Sequence, residues 1–363
     1  MSRSEALERL LAETGFDGAV RTPLAGDAST RRYERLEKSG RRAMLMDAPK
    51  SAESAPCPPG ATPAERRTMG WNAVARLAAS RVEAFVAVAN YLESLGLAPP
   101  EIYGADCAAG YAVIEDLGDD LYAQVIPKGE DEITLYQEAA KVLAHVHAAP
   151  QAPPRLEGKA GANWPLLDYD ALALEVNADL FVEWLPRANP DVVIDDAARA
   201  RWERVRDSLI VKALGFPRAF TIRDYHAENL LWLPERQGLK RVGLLDFQDA
   251  VRGWRGWDFS MLLHDARRDV SPAAHAAAVR TYLDATGGSE AEFERELAVL
   301  GAINTMRILG IFSRLTGRDG KMRYLEFMPR MWAHLGRTLK HPALAETRAF
   351  VESVARQRLE QAA

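Results

Sequence analysis

Asp224, Asn229 and Asp246 are the residues whose types and spacing most directly suggest chemistry. Asp224 and Asn229 lie five apart in the polar stretch T-I-R-D-Y-H-A-E-N. Two apolar runs follow, at 230–233 and 242–245, separated by Pro234, Glu235, Arg236, Gln237 and Gly238. Such runs flanking a turn predict a β-hairpin. Asn229 stands just before the first strand and Asp246 just after the second, so hairpin pairing brings them side by side, with Asp224 on the same rim. Two carboxylates and an amide oxygen at strand ends form a hard-oxygen site suited to Mg²⁺. The bland alternative is a polar surface hairpin with acidic ends.

The rest of the chain has to position this rim. A helix is predicted over 2–14, with Leu7, Leu10 and Leu11 on one face, a serine cap and Gly15 at its end. Short strands are expected near 20–24 and 41–47. Between them, Gly26, Asp27, Ser29 and Thr30 form a tight turn of small residues able to lay N–H groups and hydroxyls over phosphates. An ordinary hairpin turn has the same appearance. Residues 48–72 carry five prolines, Pro49, Pro56, Pro58, Pro59 and Pro63, and are expected to form a mobile insertion that is not helical throughout. A helix over 81–95 and a strand at 101–103 lead to Tyr111–Gly118, a strand ending in Glu115, Asp116 and a glycine. Helices are then predicted over 134–148, 168–185, 195–214 and 259–268, followed by almost continuous helix from residue 274. His145 and His147 are two apart on one helix, point to different sides and are expected to be structural.

Composition sets the class. At 363 residues the chain is long for one core, and two lobes are the default. Its 48% hydrophobic and 27% charged residues describe a soluble globular protein. A net charge of −5, with no basic run, excludes a nucleic-acid surface. Cys57 and Cys107 suggest neither a disulfide framework nor a zinc site. No signal peptide, membrane span or obligate protein partner is expected, and the cytoplasm is the expected compartment.

The order of turn, hinge and acidic hairpin resembles the protein-kinase-like fold, and within it the aminoglycoside phosphotransferase and choline kinase group. The resemblance implies an α+β, two-lobed protein-kinase-like fold. A small β-rich N-lobe over 1–118 would bind nucleotide, and a larger, mostly helical C-lobe over 119–363 would carry catalysis and substrate. It makes Asp224 the catalytic aspartate, with Arg223 beside it neutralising the acceptor side, and Asn229 and Asp246 the metal ligands. Gly26, Asp27, Ser29, Thr30, Arg32, Glu115, Leu117 and Leu231 become the nucleotide contacts, and the cofactors ATP and Mg²⁺. Asp258 is expected to cap the following helix and to bond the backbone of the catalytic loop.

Two departures stand out. The strand position that usually holds a phosphate-binding lysine carries Met46 or Asp47, and Arg31, Arg32 or Lys50 can supply the missing charge. Ile222 replaces the usual histidine two residues before the catalytic aspartate, a position that mainly anchors packing. The text G-D-A-S-x-R-R-Y, the strand end M-D-A-P, D-F-Q-D-A-x-x-G and W-D-x-x-x-L-L-x-D-A-R-R-D-V are similar to bacterial kinases acting on the anomeric hydroxyl of N-acetylmuramate and N-acetylglucosamine in cell-wall sugar recycling. The expected partner is therefore a small amino sugar, with Glu175, Glu183, Trp184, His226, Asp249 and Trp254 as candidate contacts. His226 alternatively braces the loop. Aminoglycoside or other hydroxyl phosphotransfer, and a non-catalytic nucleotide-binding regulator, are the alternatives.

Overall fold

The computed structural model describes residues 2–24, 30–149 and 151–362. Of the expected phosphate-turn residues, Gly26, Asp27 and Ser29 lie outside these. The chain divides into two compact units, one of Met1–Asp168 with Ile222–Arg252, the other of Tyr169–Thr221 with Gly253–Ala363. The hairpin and its acidic rim thus share a unit with the N-terminal sheet, and this partition does not fall at residue 118.

The first unit is built on an antiparallel sheet of β1 (Val20–Pro23), β2 (Arg32–Lys38), β3 (Arg41–Asp47), β4 (Ile102–Asp106) and β5 (Tyr111–Ile114), in the order β1-β2-β3-β5-β4. The two-residue period of a strand sorts its side chains. Leu36, Ala43, Leu45, Tyr111 and Val113 share one face and bury Leu10, Leu11 and Phe16 against it. The two leucines come from α1 (Arg3–Thr14), which starts at a Ser2–Glu5 capping box and stops at Gly15, whose φ of 79° is easily adopted without a Cβ. Gly104 of β4 passes under that helix so closely that a Cβ would meet Thr14 Cγ2 at 2.7 Å.

The proline-rich stretch is structured to a degree that its composition concealed. It contains α2 (Pro63–Met69), with Pro63 in the first turn and a Thr62–Glu65 capping box. Next comes α3 (Trp71–Val74), a single turn. Arg66 is 1% exposed, and its guanidinium donates to the carbonyls of Ala73 and Val74 at 3.2 and 2.8 Å. Helix α4 (Val82–Ser94) then lays Phe85 onto Phe247 in a stack 4.8 Å between ring centroids. α5 (Tyr122–Val125) and α6 (Glu132–Ala148) precede the hairpin, in which Leu230–Trp232 pairs antiparallel with Val242–Leu244. Gly243 is required there by close approach: a Cβ would meet Leu233, Leu231 and Leu117 side chains at 3.0, 3.1 and 3.3 Å.

The second unit is helical: α7 (Ala171–Ala188), α8 (Asp196–Leu214), α9 (Arg255–Leu263), α10 (Pro272–Thr286), α11 (Glu290–Gly317), α12 (Met328–Thr338) and α13 (Ala345–Gln361). α11 is long and apolar enough to cross a membrane by length and composition, yet 83% of its apolar window is buried inside the protein. It packs on α7 so tightly that a Cβ on Gly310 would meet the Leu180 carbonyl oxygen at 2.3 Å. Each buried Leu, Ile or Phe on such a helix contributes roughly 1.5–3 kcal/mol. α9 stops at Leu263, short of the expected Arg268, because the Asp265 carboxylate accepts from Arg267 N–H at 2.9 Å and turns the chain.

Candidate active site

The Asp224 loop is held from below by buried groups. Ile222 is 1% exposed, so the apolar replacement works as a packing anchor. The Tyr225 hydroxyl donates to the Ala139 carbonyl at 3.0 Å, and Ala123 N–H to the Ala227 carbonyl at 3.0 Å. These ties to α6 and α5 leave Asp224 half-buried at the rim. Asn229 closes the loop on itself: its N–H donates to the His226 carbonyl at 2.8 Å and its side-chain amide to the Asp224 carbonyl at 2.8 Å. The same amide lies 3.2 Å from His226 Nε2. These contacts place His226 against Asn229, within the loop.

Asp246 arrives beside Asn229 because the hairpin pairing continues one step beyond its strands, with Leu245 N–H on the Asn229 carbonyl at 2.9 Å. Its φ is +54°, in the left-handed region that residues with a Cβ rarely adopt. Arg31 donates to its Oδ1, and Gln248 Nε2 donates to the same oxygen at 3.0 Å. Burial works to raise the Asp246 pKa. The Arg31 guanidinium and the Gln248 amide outweigh it and hold the carboxyl below its usual range. For Arg31, burial disfavours the charge, but Tyr33, Asp246 and Asp249 more than restore it.

The three candidate cations for the missing lysine are now separable. Met46 is fully buried in the sheet, and Asp47 pairs with Arg3 at 2.5 Å. Lys50 pairs with Glu83 at the start of α4, also at 2.5 Å. Arg32 is exposed. Arg31 alone of the three meets the Asp246 carboxylate. Thr30, the one described residue of the phosphate turn, donates to Glu53 Oε1 at 2.5 Å and lies 2.8 Å from the Ser80 hydroxyl. Burial works to raise Glu53, and donors from Ser80, Thr30 and Asn72 bring its pKa below the ordinary value.

At the hinge, Glu115 N–H is occupied by the Glu101 carbonyl at 2.8 Å and its carboxylate by Arg236 at 2.5 Å. Arg35 of β2 holds Asp116 at 2.8 Å. Leu117 and Leu231 come together over Gly243; Leu117 is half-buried, whereas Leu231 is 1% exposed and so enclosed.

The expected acceptor residues are dispersed. Arg223 is 2% exposed, and its guanidinium donates to the Ala75 and Arg76 carbonyls at 3.2 and 2.8 Å. Asp249 accepts from Ala78 N–H at 2.5 Å. In the second unit, Glu175 and Trp184 are half-buried and Glu183 is exposed. Arg187 stacks over Trp184 at 4.3 Å. Burial, then Asp179, raises the Glu183 pKa. Trp254 corrects an expectation: it is 0% exposed with Arg218 stacked on it at 4.2 Å, so its ring has no open face for a sugar. Asp258 also differs. It lies inside the first turn of α9, and Glu296 supplies the cap, accepting from Gly256 N–H at 2.9 Å and pairing with Arg255 at 2.7 Å. No motif marks Glu53 or Ser80, and only the fold brings them to the rim; Gln248 stands in the D-F-Q-D-A text, which assigned it no role.

Among the described residues no group of three or more His, Cys, Asp or Glu side chains could hold a metal ion. One carboxylate and one amide oxygen still fit Mg²⁺, which keeps several waters and shares its remaining positions with substrate phosphates.

A protein of Caulobacter vibrioides, N-acetylmuramate/N-acetylglucosamine kinase, is 51% identical over 351 residues, 96% of each chain. A protein of the same name from Pseudomonas aeruginosa is 31% identical, covering 92% of this chain and 88% of its own. Among solved structures, a choline/ethanolamine kinase family protein from Mesorhizobium loti superposes with a TM-score of 0.54 at 18% identity, covering 97% of this chain and all of the other. That likeness carries the fold, the kinase-like α+β class with an antiparallel-sheet N-lobe and a mostly helical remainder. The model of the phosphotransferase enzyme family matches residues 20–297, and this chain belongs to that family.

Proposed function

We propose that the protein transfers the γ-phosphoryl group of ATP to the anomeric hydroxyl of N-acetylmuramate or N-acetylglucosamine, giving the sugar 1-phosphate, as a cytoplasmic step of peptidoglycan sugar recycling. The observation that carries this reading is the 51% identity, over 96% of both chains, to a protein of that name. The D-F-Q-D-A text beginning at Asp246 is part of that similarity.

In the proposed reaction the sugar oxygen attacks the γ-phosphorus in line, the bond from that phosphorus to the β–γ bridging oxygen breaks, and ADP leaves with the electron pair. Asp224 orients the attacking hydroxyl and takes its proton late, since a loose transition state needs little help from a strong base. Asn229 Oδ1 and Asp246 would hold Mg²⁺, which when bound neutralises charge on the phosphate oxygens. Arg31 stands where the missing lysine's charge is needed and keeps Asp246 ionised and aimed. Half-buried Leu117 offers the adenine an apolar surface, backed from beneath by buried Leu231. Most of the acceleration comes from positioning and fixed charge.

An ADP-release assay with ATP, Mg²⁺ and a panel of N-acetylmuramate, N-acetylglucosamine, choline and kanamycin tests the substrate class, and phosphorus NMR of the product locates the phosphate on C1 or C6. Turnover confined to choline or kanamycin, or a 6-phosphate product, refutes the sugar 1-kinase reading. Asp224→Ala is expected to lower kcat by at least ~10³-fold with the fold intact, the sum of lost proton acceptance and lost orientation.

A further inference from the structure

Three segments must keep register for phosphoryl transfer: the Asp224 loop, the Asp246 loop and the phosphate turn. All three are tied to one stretch, residues 71–80, that belongs to none of them. Arg223, next to Asp224, donates to the carbonyls of Ala75 and Arg76. Asp249, three residues after Asp246, accepts from Ala78 N–H. Thr30 reaches the stretch through Glu53, which also accepts from Ser80 and, at 3.1 Å, from Asn72. Asn72 and Ser80 are 6% and 9% exposed, so these bonds are shielded from water.

Backbone conformation singles out the same place. Among the described residues, Ser39, Arg76, Ala79, Ser80, Ala160, Arg223 and Asp246 are the non-glycine residues with positive φ. Five of these seven lie in the stretch or in the loops fastened to it. A side chain stays in that region only where its surroundings over-determine it, and such residues collect at sites whose geometry matters.

We propose that residues 71–80 form a positioning strap that holds the Asp224 loop, the Asp246 loop and Thr30 in register, with Arg223, Asp249 and Glu53 as its fasteners. Arg223 is thus a positioning residue, and its charge serves the strap's carbonyls and not the acceptor. A change at Glu53 passes along the strap to the Asp224 loop. The proposal rests on the reading of Asp224 given above, so its test includes a signal that needs no acceptor.

Glu53→Gln is expected to speed amide hydrogen exchange in residues 222–230 as well as in 71–80, in enzyme without sugar. Unchanged exchange in 222–230 overturns the strap whatever the acceptor proves to be. Ala79→Gly relieves left-handed strain, so it should keep or raise Tm while lowering kcat roughly threefold or more, because the strap slackens. A purely structural stretch would leave kcat alone, and that result also overturns the proposal. Arg223→Met should lower kcat about 10²-fold, the scale of a 1 Å misplacement of a reacting group, with the ADP dissociation constant moved by less than about threefold. Arg223→Lys should recover part of that loss. A loss of ADP binding with kcat intact would place Arg223 at the nucleotide and refute its assigned role. Absence of turnover on every acceptor in wild-type enzyme would refute the proposed function and leave the exchange result standing.

Discussion

Arg31 is the proposed replacement for a missing residue, at the scale of one side chain. The expected lysine place in β3 holds Met46 or Asp47, and Arg31, just before β2, lays its guanidinium on Asp246. Arginine and lysine differ here, because the planar fork can hold a carboxylate and a phosphate oxygen together. Arg31→Met is expected to lower kcat/KM for ATP by about 10²-fold, the cost of one fixed donor to developing charge. It should also weaken ADP binding measured by calorimetry. Arg31→Lys should lie between. Calorimetry showing normal ADP affinity in Arg31→Met would leave Arg31 as a brace for Asp246 alone. Spacing alone could mark Asp224, Asn229 and Asp246, since strand pairing is local. It could not choose among Arg31, Arg32 and Lys50, because that choice needs the sheet's register and the partners of Asp47 and Glu83.

At the scale of elements, the junction of α9 and α12 carries a pH-sensitive contact. His334 of α12 is 3% exposed. Its Nδ1 accepts from Arg337 at 2.7 Å, and its Nε2 lies 3.3 Å from the Asp265 carbonyl. That pairing fits a neutral ring with its proton on Nε2. Burial, then the Arg337 charge, pushes its pKa down to about 4. His264 stacks on it at 5.1 Å and is also held neutral, first by burial and then by His334. The folded state therefore resists a proton that the unfolded chain accepts near pH 6.5. The stability is fully present above that value and is lost as pH falls toward 4. For His334 alone the loss between pH 7 and pH 5 is about 2 kcal/mol. Thermal melts across that range should show it, and His334→Gln should flatten the slope. An unchanged slope would place the acid sensitivity elsewhere. The helices themselves were largely predictable from period and caps. The end of α9 was not, because it depends on the Asp265 side chain turning back on the backbone.

At the scale of the whole molecule, ligand binding should read out as stability. The proposed nucleotide and metal residues all lie in the first unit, so Mg²⁺ with ADP should stabilise the native chain by mass action. At 100 times the dissociation constant the gain is about 2.7 kcal/mol. Chelating the metal with EDTA should remove most of the accompanying rise in Tm. Asp246→Asn should abolish its Mg²⁺-dependent part. A shift indifferent to EDTA in wild-type protein would argue that Asn229 and Asp246 hold no metal.

By itself, the sequence determined the reaction class and most of the element order, including the Asp224–Asn229 loop, the hairpin and the Asp246 text that points to a sugar. Those signals are local: a turn, a strand period, a cap or a spacing of five residues is decided by neighbours along the chain. Only the tertiary structure decided which cation meets Asp246 and that Trp254 is enclosed. It also decided that Arg223 faces backbone carbonyls and that residues 71–80 bind the loops together. Each of those depends on which groups packing leaves buried and must therefore pair, across separations of up to 215 residues between Arg31 and Asp246.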